Sequence, residues 1–316
     1  MLVKTSHHDI PTRSNGRSGT IRIYVIEPNL PEYPNAKFPG CVVFSEIYQV
    51  TGPVERFASN IASEGYVVAL PSSFHEFEGP EAIPYDTDGT DRGNKYKIEK
   101  TVEAYDEDST LSIDLLTSLP SCNGRIAATG IASTFSRSSL LPFCAKHSPQ
   151  FLSLGRPVFS FLLLIFTLSH PCRGIYANQQ QCAFDPRILA TFCYFATDVH
   201  SATLGRGQSD DTLIKIKNGD LTSKGEIAMV FGKQDTHVDR AGRTLIRQTL
   251  DEANVITSFI EVQAQHAFIR DESSKGRWDA ALSRSLFGMM MELFNRTTAR
   301  DLGPRSSSTK ELEHVC

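Results

Sequence analysis

The chain has 316 residues, of which 40% are hydrophobic and 22% charged, enough apolar side chain for one large core or two small ones. A formal net charge of -4 and the lack of a long basic run leave no surplus of Lys and Arg to neutralise a phosphate backbone, so nucleic acid is not an expected partner. The seven cysteines, Cys41, Cys122, Cys144, Cys172, Cys182, Cys193 and Cys316, are scattered, with no CxxC pair and no zinc-ligand spacing, and read as reduced thiols of a cytoplasmic protein.

The N-terminus carries Lys4, His7, His8 and Asp9 where a secretory signal needs an unbroken apolar stretch. Thr20 to Ile26 alternates polar and β-branched residues as a strand does, and Gly40 to Phe44 is a short apolar run typical of a buried strand. From Gly52 to Glu64, Val54, Phe57, Ala58, Ile61 and Ala62 form the stripe of a helix lying on a sheet; Gly65 stops it and Tyr66 to Leu70 is the next strand. Pro71 to Asn94 is polar and rich in Gly, Pro and Asp and reads as a long loop. Lys97 to Leu119 reads as helical, with Ile98, Val102, Tyr105, Leu111, Leu115 and Leu116 facing inward.

Arg125 to Thr129 is a short strand ending at Gly130, and regular structure resumes with a strand over Ile188 to Phe195. Strand Glu226 to Phe231 leads to Asp235, helix Asp239 to Ala253 follows, and strand Ser258 to Val262 leads to His266. Trp278 to Asn295 closes the pattern as a long amphipathic helix. The rhythm of strand and helix, with continuous apolar strands, predicts one α/β domain: a mostly parallel central sheet with helices on both faces. Residues 131–181 break that rhythm, and residues 301–316, rich in Ser and charge, read as a disordered tail. The most apolar run, Val158 to Leu168, is about half of the ~20 residues a membrane-spanning helix needs, so no membrane span is expected.

In an open parallel sheet the carboxyl ends of the strands converge on one crevice, so polar residues just past several strands can be neighbours. Glu46, Gly130 onward, Asp235 and His266 hold that position. A carboxylate orienting an imidazole that activates a nucleophile is the logic of covalent hydrolysis, in the order nucleophile, acid, histidine. Each has a plainer reading too: Asp235 as a turn former, His266 as a hydrogen-bonded strand-end residue, Glu46 as a helix-capping or solvated carboxylate. Asp235, His237 and Asp239 alternate as metal ligands can, but one short loop rarely completes a coordination sphere, and no metal is expected. Gly205-Arg206-Gly207-Gln208-Ser209 lacks both GxGxxG and GK[ST], so no nucleotide cofactor is implied.

The segments VVFSEIY, RFASNIASEGYVVALPSSF, GKQDTH and QHAFIRDE resemble the dienelactone hydrolase (carboxymethylenebutenolidase) family in sequence and order. The resemblance implies an α/β-hydrolase acting on a small-molecule ester or lactone without a cofactor. It makes Asp235 the triad acid and His266 the general base. Glu46 becomes the carboxylate that approaches the nucleophile, and the Ile47 N–H an oxyanion-hole donor. Arg270 falls where the family places a basic residue near an anionic substrate, although its spacing from Glu272 also allows an ordinary ion pair. The family's next motif, Gly-x-Cys-x-Gly-Gly, is missing: the chain reads Gly130-Ile131-Ala132-Ser133-Thr134-Phe135, and Ala132 cannot attack a carbonyl. Ser133, or a cysteine brought in from elsewhere such as Cys182, is then the nucleophile candidate. The alternative is an inactive hydrolase-fold protein that at most binds a small ligand. Residues 131–181 read as sequence that displaced the nucleophile turn, from a retained intron or mistaken gene model, with an active-site lid as the competing reading.

Overall fold

The computed structural model describes residues 2–13, 19–131, 183–207, 210–221 and 225–300. Ala132, Ser133, Cys182, the apolar run Val158 to Leu168 and the 301–316 tail lie outside them, as does all of 131–181 except Ile131.

The strands are β1 (Val3–Thr12), β2 (Gly19–Pro28), β3 (Phe38–Phe44), β4 (Val67–Pro71), β5 (Cys122–Gly130), β6 (Ile188–Tyr194), β7 (Glu226–Gly232) and β8 (Thr257–Val262). They form one eight-stranded sheet in the order β1-β2-β4-β3-β5-β6-β7-β8. The β1/β2 and β2/β4 pairs are antiparallel and every later pair is parallel. The helices are α1 (Gly52–Ser63), α2 (Thr87–Glu99), α3 (Val102–Ser118), α4 (Thr212–Lys217), α5 (Arg240–Glu252) and α6 (Ala280–Phe294), the last running into a π-helical turn, Asn295–Ala299. Among the described residues no helix is long and apolar enough to cross a membrane.

Side chains alternate across each central strand, so the sheet is covered on both faces. Cys41 and Val43 of β3 and Val68 and Leu70 of β4 join Val54, Ala58 and Ile61 of α1 and Met290 and Phe294 of α6. Val42, Phe44, Val67 and Ala69 point the other way, to Ile113, Leu115 and Leu116 of α3. Helix α1 ends as its sequence foretells: Gly65 takes φ +92, a left-handed conformation that costs a β-carbon-bearing residue dearly, and the chain turns into β4.

The structure departs from the sequence reading in several places. β1 is a full edge strand, in register with β2 from Val3↔Pro28 to Thr12↔Gly19, although Lys4 to Asp9 are all exposed. The stretch read as a loop to Asn94 instead turns helical at Thr87, where the Asp86 carboxylate caps α2 by accepting from Gly89 N–H at 2.7 Å. Helix α2 packs through backbone rather than apolar side chains: a Cβ on Gly93 would stand 2.3 Å from the Ile47 carbonyl oxygen. Its Ile98, expected inside, is 43% exposed, and the inward positions belong to Lys97 and Lys100. The Lys100 ammonium lies 2.6 Å from Glu76 Oε1 and 2.9 Å from Asp108 Oδ2, and Lys97 reaches Asp198 at 3.3 Å. His75, Glu76 and Asp108 place their ligand atoms within 4.8 Å of one another, but the cation among them is the Lys100 ammonium.

Helix α6 starts at Ala280, capped by Asp279, so Trp278 stands outside it and is 47% exposed. At the opposite end the π turn is clamped beneath the amino ends of the strands. Arg125, early in β5, donates from Nε to Thr298 O at 2.9 Å and from Nη2 to Thr297 O at 2.7 Å, while Arg296 pairs with Glu226 of β7 at 2.8 Å.

Candidate active site

Asp235 and His266, singled out past the ends of β7 and β8, meet at the carboxyl edge of the sheet. Two loops that follow neighbouring parallel strands are laced together by backbone hydrogen bonds: Lys233 N–H donates to Val262 O at 2.7 Å and Gln234 N–H to Ala264 O at 3.0 Å. Gly232 allows this approach, since a Cβ there would sit 2.3 Å from the Ala264 carbonyl oxygen. The consequence is that Asp235 and His266, 31 residues apart, face each other, with His266 Nδ1 2.7 Å from Asp235 Oδ2. Both are buried, at 4% and 2% exposure.

Asp235 Oδ1 accepts the His237 backbone N–H at 2.8 Å, so each carboxylate oxygen has a donor. Burial pushes the Asp235 pKa upward, but the charge and hydrogen bond of His266, with the His237 N–H, outweigh it and hold the carboxyl below its usual range. The His266 ring is braced by Phe195 at 5.2 Å and His237 at 4.5 Å between centroids. The residue after it, Ala267, has φ 59, a left-handed conformation in which the chain turns just past the imidazole. His237 was set aside in the sequence as part of an incomplete metal set; here it is a neutral neighbour of His266, its pKa pushed down to about 3 by burial and then by the nearby His266. A cavity of about 340 Å³ is lined by Gln234, Thr236, His237, Gln265, His266 and Arg277. The Arg277 pKa is lowered by burial and by the charge of Arg270.

Glu46 and Arg270 form a second buried cluster, linked to the first through Arg277, which feels the charges of both Arg270 and Asp235. Arg270 Nη1 donates to Glu46 Oε2 at 3.1 Å, with both side chains fully buried, and Nη2 donates to Ser273 O at 2.7 Å. Glu46 Oε1 accepts from the hydroxyls of Tyr85 and, at 3.2 Å, Thr51. The Arg270 guanidinium also lies over the Tyr85 ring, 4.7 Å from its centroid. Burial, and then the Glu46 charge, push the Tyr85 pKa upward, which keeps its hydroxyl a donor. The pairing of Arg270 with Glu272 does not form: Glu272 and Asp271 bind Arg56 instead, at 3.2 and 2.7 Å. Ile47 is buried under α2, its carbonyl against Gly93. Sequence reading missed Tyr85 and Thr51; the one available signal was a lone tyrosine in an otherwise polar stretch past a strand.

β5 keeps its register to the end, Phe44↔Gly130, and Ile131 N–H still donates to Phe44 O at 3.2 Å. The nucleophile candidates Ser133 and Cys182 lie beyond the described residues. Cys41, Cys122 and Cys193 are free and buried, and burial raises the pKa of each, which makes them poor nucleophiles.

The strand order, with polar residues gathered past β3, β7 and β8, defines an α/β-hydrolase fold. The model of the dienelactone hydrolase family matches residues 21–132. The whole chain is 45% identical over 318 aligned positions to the "Putative carboxymethylenebutenolidase" of Saccharomyces cerevisiae, with 100% of both chains covered. The chain therefore belongs to the dienelactone hydrolase family. Among solved structures, it is similar in fold to a "Putative Dienelactone Hydrolase" from Klebsiella pneumoniae subsp. pneumoniae MGH 78578, with a TM-score of 0.64 at 14% identity over 94% of this chain and 100% of that one. A dienelactone hydrolase-like promiscuous phosphotriesterase from metagenomic libraries follows at 0.59 and 13%, over 94% and 99%. Thermogutta terrifontis esterase 2 gives 0.55 and 10%, over 92% and 94%.

Proposed function

We propose that this protein hydrolyses a carboxylic ester or lactone through a nucleophile, His266 and Asp235. The observation that carries the reading is the 2.7 Å contact between His266 Nδ1 and Asp235 Oδ2 beside an open cavity. Asp235 fixes the tautomer in which Nδ1 carries the hydrogen and stabilises the imidazolium that forms. Proton transfer then falls to Nε2, which takes the nucleophile's proton as its oxygen or sulfur attacks the carbonyl carbon. The same proton passes to the leaving alkoxide as the tetrahedral adduct collapses to an acyl-enzyme. Water repeats the sequence to release the acid and restore the nucleophile. The Ile47 N–H is the proposed oxyanion donor. Ser133, three residues past the end of β5, is the nucleophile candidate. Direct binding of an anionic substrate by Arg270 would require Glu46 to release it, whereas Arg277 already lines the cavity and supplies positive potential there.

One observation favours a second reading: the sequence after β5 has Ala132 where the family motif has its Cys, and lacks both following glycines. On that reading the chain keeps the acid and base of a hydrolase and binds a small acyl ligand without turning it over. An activated-ester assay combined with serine- and thiol-directed covalent probes separates the two. Stoichiometric labelling, with turnover that is lost in Asp235→Asn, supports the hydrolase. A protein that neither labels nor turns over leaves only the binding scaffold.

A further inference from the structure

The Lys100 ammonium engages only one side of the buried cluster that His75, Glu76 and Asp108 form. It lies against one oxygen of each carboxylate, Glu76 Oε1 at 2.6 Å and Asp108 Oδ2 at 2.9 Å, and against Ser73 O at 3.0 Å. The second oxygens turn to the imidazole instead: Asp108 Oδ1 stands 3.0 Å and Glu76 Oε2 3.6 Å from His75 Nε2. These three atoms make a triangle of their own beside the ammonium. The side chains of His75, Glu76 and Asp108 that carry them are 3%, 4% and 1% exposed.

The triangle has the donors and the spacing of a metal site. A neutral imidazole offers one hydrogen at most to the two carboxylate oxygens, whereas a cation at the centre engages all three lone pairs at once. Zinc bonds of about 2.0–2.2 Å at tetrahedral angles set neighbouring ligand atoms about 3.4 Å apart, a value that falls between the two observed separations. The outer oxygens are steadied from behind by Lys100, as metal-bound carboxylates are by their own hydrogen bonds. His75 Nδ1 is buried without a hydrogen-bond partner among the described residues, so what stabilises this ring acts through Nε2. An imidazole in the donor set selects zinc or its neighbours over magnesium and calcium, which take oxygen ligands.

We propose that His75 Nε2, Glu76 Oε2 and Asp108 Oδ1 bind one zinc-class divalent cation, with water in the fourth position. The metal ties the chain leaving β4 to α3, and so steadies the 72–86 stretch whose Tyr85 reaches Glu46. With ligands so buried, its role is to hold structure rather than to meet an ester. The inference stands apart from the proposed hydrolysis, since it uses none of the residues assigned to that reaction.

The test uses the full chain without a histidine tag, stripped with EDTA. Calorimetry should show one equivalent of Zn2+ bound in the micromolar range or tighter, and Zn2+ but not Mg2+ should raise the urea midpoint. Co2+ should give the visible bands of a tetrahedral nitrogen and oxygen site without the near-ultraviolet charge-transfer band of a thiolate. His75→Gln and Asp108→Asn should each weaken Zn2+ binding by at least about a hundredfold. His7→Gln/His8→Gln, on the exposed β1, and His237→Gln should bind like wild type. Should the ligand variants fail to fold, the Co2+ spectrum decides: a tetrahedral spectrum kept in both control variants supports the site, and a thiolate or solvent-like spectrum overturns it. The proposal is also overturned if wild type takes up no Zn2+ at micromolar concentration, or if stoichiometric binding survives in both His75→Gln and Asp108→Asn.

Discussion

His237 ties the pH response of stability to one side chain. An unfolded chain protonates this imidazole at its ordinary value of 6.5, whereas in the folded protein protonation waits until about 3. Between those values the unfolded state holds a proton that the folded state does not, so stability falls as the pH drops from 6.5 toward 3. At pH 5 the difference of about 1.5 pH units from the unfolded value corresponds to about 2 kcal/mol, and at pH 7.5 to nothing. Asp106 acts with the opposite sign: burial raises its pKa from 3.8 to about 6, so the folded state binds its proton first and gains stability over the same interval, by less than the full shift because the side chain is partly solvated. His237 and Asp106 therefore pull the wild-type profile in opposite directions. His237→Gln leaves the backbone N–H to Asp235 in place and removes one of them. Urea unfolding at pH 7.5 and pH 5 should show the variant relatively more stable at pH 5, by about 2 kcal/mol, than wild type measured in the same way. Parallel losses in the two proteins would mean that His237 takes up its proton as readily folded as unfolded, and the reasoning from its burial beside His266 would be wrong.

Asp235→Asn should lower ester turnover by about 10³ to 10⁴ with a small effect on KM, because the amide orients the wrong tautomer of His266 rather than blocking the cavity; an unchanged kcat would remove Asp235 from the mechanism. Arg270→Met leaves Glu46 buried without its cation and should cost about 3–5 kcal/mol in urea unfolding, much of it recovered in Glu46→Leu/Arg270→Met. If the double variant is as unstable as the sum of the singles, the two residues do not act as a pair. Residues 131–181 are proposed to have displaced the nucleophile turn. Sequencing of the mature transcript should show them absent, and a chain carrying a Gly-x-Cys-x-Gly-Gly turn and helix in their place should gain esterase activity; their presence, with no gain from replacement, refutes this.

The central fold was legible because burial writes itself into sequence on these strands. β3, β4 and β7 are apolar on both faces, and runs such as CVVF and YVVAL have no other economical use. Asp235 and His266 were legible as neighbours because each follows a parallel strand within a few residues, the buried β7 and the half-exposed edge strand β8, while the roles expected of them came from the family resemblance. β1 was not, because an edge strand exposed over Lys4 to Asp9 carries no hydrophobic period. α2 escaped because what holds it is the absence of side chains at Gly89 and Gly93 and the burial of Lys97 and Lys100, features that in sequence resemble a solvated loop. The partnership of Glu46 with Arg270 spans 224 residues, and no local spacing announces it. Spacing instead offered Arg270 the nearby Glu272, which the fold assigns to Arg56.

The clamp that Arg125 and Glu226 place on the π turn fixes where the described chain finishes. Arg300 follows that turn beneath the amino ends of β5 and β7, whereas His266 and its cavity open past the carboxyl ends of the strands. A tether grafted after Arg300 would thus leave from the side of the sheet remote from the cavity. For immobilisation on a bead or sensor chip, that geometry presents the cavity mouth to the flowing solution.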